Sequence, residues 1–88
     1  MYIEKVTIEN KAGLHSRPAV MFVQTAGKFK SDVTITKGDK VAVAKSIINI
    51  LSLAITYGTE IEISAEGPDE ELAVKELVKL IKSKFGEE

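Results

Sequence analysis

His15, Ser16, Arg17 and Pro18 stand together in "GLHSRPAVMFV", Gly13 to Val23, and His15 is the only histidine in the chain. Ser16 is a good N-cap, and Pro18 fits a helical first turn, where its missing N–H is not needed. That places His15 one residue before the cap, with a ring able to reach over the first turn. Unsatisfied N–H groups and the positive end of the helix dipole gather there, which makes an anion site. A positive helix end disfavours an imidazolium, and a neutral imidazole is a nucleophile. Arg17 adds a fixed cation whose fork suits phosphate oxygens. Nucleophile, helix N-terminus and arginine together describe a place to hold a phosphoryl group on nitrogen. The residues by themselves reach a phosphohistidine or anion site, set against a surface-loop histidine with no chemistry.

Composition removes other chemistries. With no cysteine there are no disulfides, no thiolate nucleophile and no cysteine-based zinc or iron–sulfur site. One histidine cannot supply the usual multi-histidine metal shell, so neither a metal nor a cofactor is expected. There is no phosphate-cradling glycine loop and no Ser-x-Gly elbow. Glu70 and Glu71 are adjacent and read as helix-start charges rather than a catalytic pair. A net charge of −1 from 12 basic and 13 acidic residues gives no footprint for nucleic acid or an anionic membrane. No apolar run approaches the ~20 residues of a membrane span, and the first residues lack the apolar stretch of a signal peptide. The expectation is a cytoplasmic monomer with a single domain over residues 1–88 and one modest core.

The elements that must position His15 follow from periodicity. Tyr2 to Ile8 alternates through Val6 and Ile8 and reads as a strand; Asn10 to Gly13 is a loop. Ala19, Phe22, Val23 and Ala26 share one helical face, so a first helix covers about Arg17 to Ala26, with Gly27 as the C′ residue that ends it. "DVTIT" and "VAVA" alternate through Val33, Ile35, Val41 and Val43, and "KGDK" between them is turn chemistry, so they form a hairpin. "EIEISAE" is the last strand, through Ile61, Ile63 and Ala65. Gly67-Pro68 breaks it, and Asp69 caps a final helix. Val74, Leu77, Leu80 and Ile81 are that helix's buried side, and Lys79, Lys82 and Lys84 are a solvated end that complements the dipole.

"KSIINILSLAI" is over-apolar for a short helix lying on a sheet. Ser46 is an N-cap candidate, and Ile50, Leu53 and Ala54 can fill a buried face. Ile47, Ile48 and Leu51 are then left over, either covered by a loop or forming an exposed apolar patch. The order β-α-β-β-α-β-α with a split βαβ arrangement gives an α+β two-layer domain.

"GLHSRPA", Gly13 to Ala19, resembles the active-site signature of HPr, the histidine-containing phosphocarrier family of the bacterial phosphotransferase system. "KSIINILSLA", Lys45 to Ala54, resembles that family's second signature, around its regulatory serine. The resemblance extends over the whole chain. It implies an open-faced β-sandwich, four antiparallel strands under three helices. It implies that His15 accepts a phosphoryl group on Nδ1 from phosphorylated enzyme I, which takes it from phosphoenolpyruvate, and passes it to the enzyme IIA unit of a sugar permease. Such a protein is a carrier, not an enzyme with turnover of its own. Arg17 would neutralise phosphoryl charge, the N–H groups near Ser16 and Arg17 would bind its oxygens, and Val20, Ile47, Ile48 and Leu51 would form the docking surface for both partners.

Ser46 would be the target of an HPr kinase/phosphorylase, and its phosphate would weaken enzyme I binding and offer a surface to a catabolite-control repressor. The plain alternative is that Ser46 only caps a helix. Asn49 and Ala54 stand where relatives often have glycine, and Ile48 and Leu51 stand where methionine is frequent. A related regulatory paralogue lacks the histidine, and His15 argues against that identity. The competing function is a mainly regulatory binding module, or a phosphocarrier of a non-sugar regulatory phosphotransferase branch.

Overall fold

The computed structural model describes residues 1–86, so the single expected domain over 1–88 ends two residues beyond the described chain. The elements are β1 (Tyr2–Thr7), α1 (Ser16–Ala26), β2 (Asp32–Lys37), β3 (Lys40–Val43), α2 (Ile47–Ser52), β4 (Glu60–Glu66) and α3 (Glu70–Lys82), followed by a 3-10 turn at Lys84–Gly86. All strand pairs are antiparallel, in the order β1-β4-β2-β3. Three helices cover one face of this sheet, which is the expected open-faced sandwich.

Register explains the burial. Val6 pairs with Ile61 across β1 and β4, and Ile35 pairs with Ile63 across β2 and β4. All four are buried, on the face that meets Phe22, Ile50, Val74, Leu77 and Ile81 from the helices. The residues between them, such as Lys5, Thr34, Thr36 and Glu62, lie on the other, open face. Side chains alternate across a strand, so a single register sets the whole core.

β3 departs from the simple pattern. Val41 and Val43 are exposed, while Ala42 and Ala44 are buried. The small residues face inward because α2 packs against β3 there, and an alanine pair lets a helix approach closely. The valines sit on the open face opposite Thr36 and Thr34.

The C-terminal end of α1 and both ends of α3 differ from expectation. Gly27 closes α1 in right-handed conformation, φ −66°, rather than in the left-handed one that a C′ glycine supplies. Lys84 lies beyond α3, in the 3-10 turn, so only Lys79 and Lys82 sit in the last helical turn. That turn returns Phe85 to the core. Asp69 holds the N-cap position of α3 but makes no side-chain cap. Its carboxylate instead accepts from the Lys30 N–H at 3.0 Å, the Ser31 N–H at 3.0 Å and the Ser31 hydroxyl at 2.6 Å. These bonds tie the α1–β2 connection to the start of α3. They also hold the Asp69 carboxyl below its usual range, the Ser31 hydroxyl contributing most and the Lys30 N–H next. The Glu70 carboxylate reaches back before the helix, accepting from the Gly67 N–H at 3.1 Å and pairing with the N-terminal ammonium at 3.0 Å.

Candidate functional site

The segment before α1 is fixed at every step. The Asn10 side-chain amide donates to the Gly13 carbonyl at 2.7 Å, and the Gly13 N–H donates to the Asn10 carbonyl at 3.0 Å. Gly13 has φ +68°, and a Cβ there would lie 2.5 Å from the Ile55 carbonyl oxygen, so both its conformation and its surroundings demand glycine. The Leu14 N–H then donates to that same Ile55 oxygen at 3.0 Å, and the Leu14 side chain is buried. Two anchored residues thus lead directly into His15.

His15, not Ser16, is the N-cap of α1. Its backbone is extended, φ −86° and ψ −166°, and its carbonyl accepts the first helical bond, from the Ala19 N–H at 2.9 Å. The tether of Leu14 to Ile55 sets where the helix starts, one residue earlier than side-chain capping preference indicates. Ser16, Arg17 and Pro18 are therefore the first three helical residues. Ser16 and Arg17 present N–H groups with no carbonyl four residues back in the helix, and Pro18 has no N–H to satisfy. His15, Ser16 and Arg17 are all exposed, while Pro18 and Ala19 are buried beneath them. Arg17 makes no ion pair with another described residue. An imidazole, two backbone donors and a guanidinium therefore share one solvent-facing helix start, where an anion is favoured.

The second stretch behaves as a cap and a patch. Ser46 is the N-cap of α2, and its hydroxyl accepts from the Asn49 N–H at 3.3 Å. Ile50 and Leu53 are buried as expected, but Ala54 is exposed and does not fill the buried face. Ala54 instead turns the chain after α2 with φ +51°, a backbone conformation that favours glycine. Asn49 reaches back to β3, its Oδ1 accepting from the Val43 N–H at 3.5 Å, a long bond. Of the surplus apolar residues, Ile48 is 75% and Leu51 41% exposed, and Val20 on the adjoining α1 is 43% exposed. Ile47 separates from them: it is half-buried and packs against the core. The leftover residues are thus an exposed patch carried by two helices that pack together, without a covering loop.

Sequence reasoning passed over Asn10 and Ile55, which fix this loop. Asn10 carries the one available signal, an amide side chain opening a turn that a glycine closes.

The family model described as "PTS HPr component phosphorylation site" matches residues 3–83. The chain belongs to the HPr family. The phosphocarrier protein HPr of Haemophilus influenzae is 49% identical over 81 residues, covering 92% of this chain and 95% of that protein. The HPr-like protein Crh of Bacillus subtilis is 46% identical over 77 residues, covering 88% and 91%. Among solved structures, HPr-C-His from Thermoanaerobacter tengcongensis superposes with a TM-score of 0.97 at 53% identity, covering 100% of this chain and 99% of that one. A dimer of HPr from the same organism is also similar, at 55% identity and a TM-score of 0.80 over 93% and 94% of the two chains. The role of an HPr is phosphoryl carriage within the phosphotransferase system, in contact with that system's enzymes. No helix among the described residues is long and apolar enough to cross a membrane.

Proposed function

We propose that His15 carries the phosphoryl group. Its Nδ1 lone pair attacks the phosphorus held by phosphorylated enzyme I, the new P–N bond forms as the donor bond breaks, and the donor group leaves with its electron pair. The reverse geometry then delivers the group to an enzyme IIA unit. The Ser16 and Arg17 N–H groups donate to the phosphoryl oxygens, and the Arg17 guanidinium offsets their charge. Val20, Ile48 and Leu51 form the surface on which both partners dock, with Ile47 supporting it from below. The observation that carries this reading is His15 at the N-cap itself, exposed, on a loop anchored by Gly13 and Leu14. A reacting group held on fixed backbone loses little freedom on binding its donor.

The test is incubation with phosphoenolpyruvate and enzyme I. An acid-labile, base-stable phosphate is expected on the wild-type chain and none on His15→Ala. An unlabelled wild type, or equal label on both, overturns the reading.

Ser46 is proposed as a regulatory phosphorylation site for an HPr kinase/phosphorylase. Its hydroxyl is half-buried in a single cap bond, two residues from Ile48. Added phosphate there places about two negative charges beside the docking patch, weakening enzyme I binding and offering a catabolite-control repressor a new contact. Intact mass after treatment with a competent kinase/phosphorylase decides this: an increase of one phosphate, lost in Ser46→Ala, is expected, and no increase removes the proposal.

A further inference from the structure

The turn after α2 has a latch that the His15 signature does not include. Lys37, the last residue of β2, extends its half-buried side chain along the molecule and donates from Nζ to the Leu53 carbonyl at 2.8 Å and the Ala54 carbonyl at 3.1 Å. These two carbonyls sit at the C-terminal end of α2, where a cation is favoured and helical acceptors run out. The next carbonyl along, that of Ile55, is the one that receives the Leu14 N–H and lies against the Gly13 backbone. Three consecutive carbonyls therefore face two different anchors. Lys37 holds the first two, and the third holds the chain immediately before His15.

The latch also opposes a local strain. Ala54 occupies left-handed backbone, φ +51°, without being glycine. A turn under that strain relaxes toward other conformations unless something fixes its carbonyls, and the ammonium, with three donors on a flexible stem, fixes two.

We infer that Lys37 is a positioning residue for phosphoryl transfer: by latching the Leu53–Ala54 carbonyls it sets the Ile55 carbonyl, and through it the Leu14–His15 backbone. This rests on the reading of His15 as the reacting group. The Lys37 ammonium bonds backbone carbonyls rather than His15 or the side chains of the exposed patch, so its effect is expected on the transfer step rather than on docking.

The test uses the full chain with Lys37→Met, which keeps the apolar stem and removes the donor, and Lys37→Arg, which restores a cation. Amide hydrogen exchange is followed at Leu14 and, as an internal reference, at Ile63 in the central strand. Lys37→Met is expected to speed exchange at Leu14 about tenfold relative to Ile63, as a lost charged hydrogen bond loosens a local opening. It is also expected to slow His15 phosphorylation about three- to tenfold in the kcat of enzyme I acting on this chain, with KM for this chain within about twofold, because misplacement of a reacting group costs rate. Lys37→Arg restores both. The inference is overturned if Leu14 exchange is unchanged, or rises only in step with Ile63, or if the rate falls through KM alone. If wild type takes up no phosphate, the His15 reading fails by that result, while the exchange arm still decides whether Lys37 sets the loop.

Discussion

Arg17 places a full positive charge two residues past the cap, in solvent, with no carboxylate partner among the described residues. A donor aimed at developing charge supplies up to about 10²–10³ in rate when water is excluded, and screening reduces this for an exposed group. Arg17→Ala is therefore expected to slow phosphoryl transfer about ten- to hundredfold while leaving the melting temperature within about 2 °C, because exposed side chains contribute little to folding. Rapid-quench transfer rates and a thermal melt check the two halves separately. At this scale one histidine, one arginine and a proline in order pointed to a phosphohistidine or anion site, and the fold gathers them at one exposed helix start. The cap itself was misplaced by one residue. Side-chain preference favours serine there, whereas the backbone bond from Leu14 to Ile55, 41 positions apart, fixes the start of the helix. Nothing local encodes that bond.

Between residue and molecule stand the short helix α2 and the turn that follows it. Its six residues bury Ile50 only, with Leu53 just beyond, and its exit forces a left-handed alanine. A left-handed L-residue costs about 1–2 kcal/mol, and glycine's extra freedom in the unfolded chain returns about 0.4–1 of that. Ala54→Gly is accordingly expected to stabilise the fold by about 0.5–1 kcal/mol, read as an increase of about 3–6 °C in melting temperature for a domain of this size. Element types were legible throughout because each carried its own period: alternation for β1, β2 and β4, and one apolar face for α1 and α3. The inward face of β3 was not. Alternating valines and alanines fit either face equally well, and the closeness of α2 chose the alanines.

Across the whole molecule, Asp69 and Ser31 join segments 38 residues apart. The sequence offers Asp69 as an ordinary cap; only the folded chain brings Ser31 and the Lys30 N–H to it. Because those donors hold the folded carboxyl below its ordinary value near 3.8, the stability it contributes is complete above about pH 5 and is lost as pH falls below that ordinary value toward the lower folded one. The difference in urea midpoint between wild type and Asp69→Asn should be constant from about pH 5 to 7 and shrink below about pH 4. A gap that widens in acid would show the opposite sign. Some acid sensitivity remains in the variant, because the Gly67 N–H and the N-terminal ammonium lower Glu70 in the same direction.

The central position of β4 has a consequence in time. It is the last strand in the chain, yet it lies between β1 and β2 and supplies the partner for both. During synthesis β1 has no neighbour to pair with until β4 has emerged, and loop closure over such a span slows folding. The Leu14 anchor depends on Ile55 in the same late-made half. A nascent chain halted before Ile55 thus holds the His15 signature without the carbonyl that anchors Leu14.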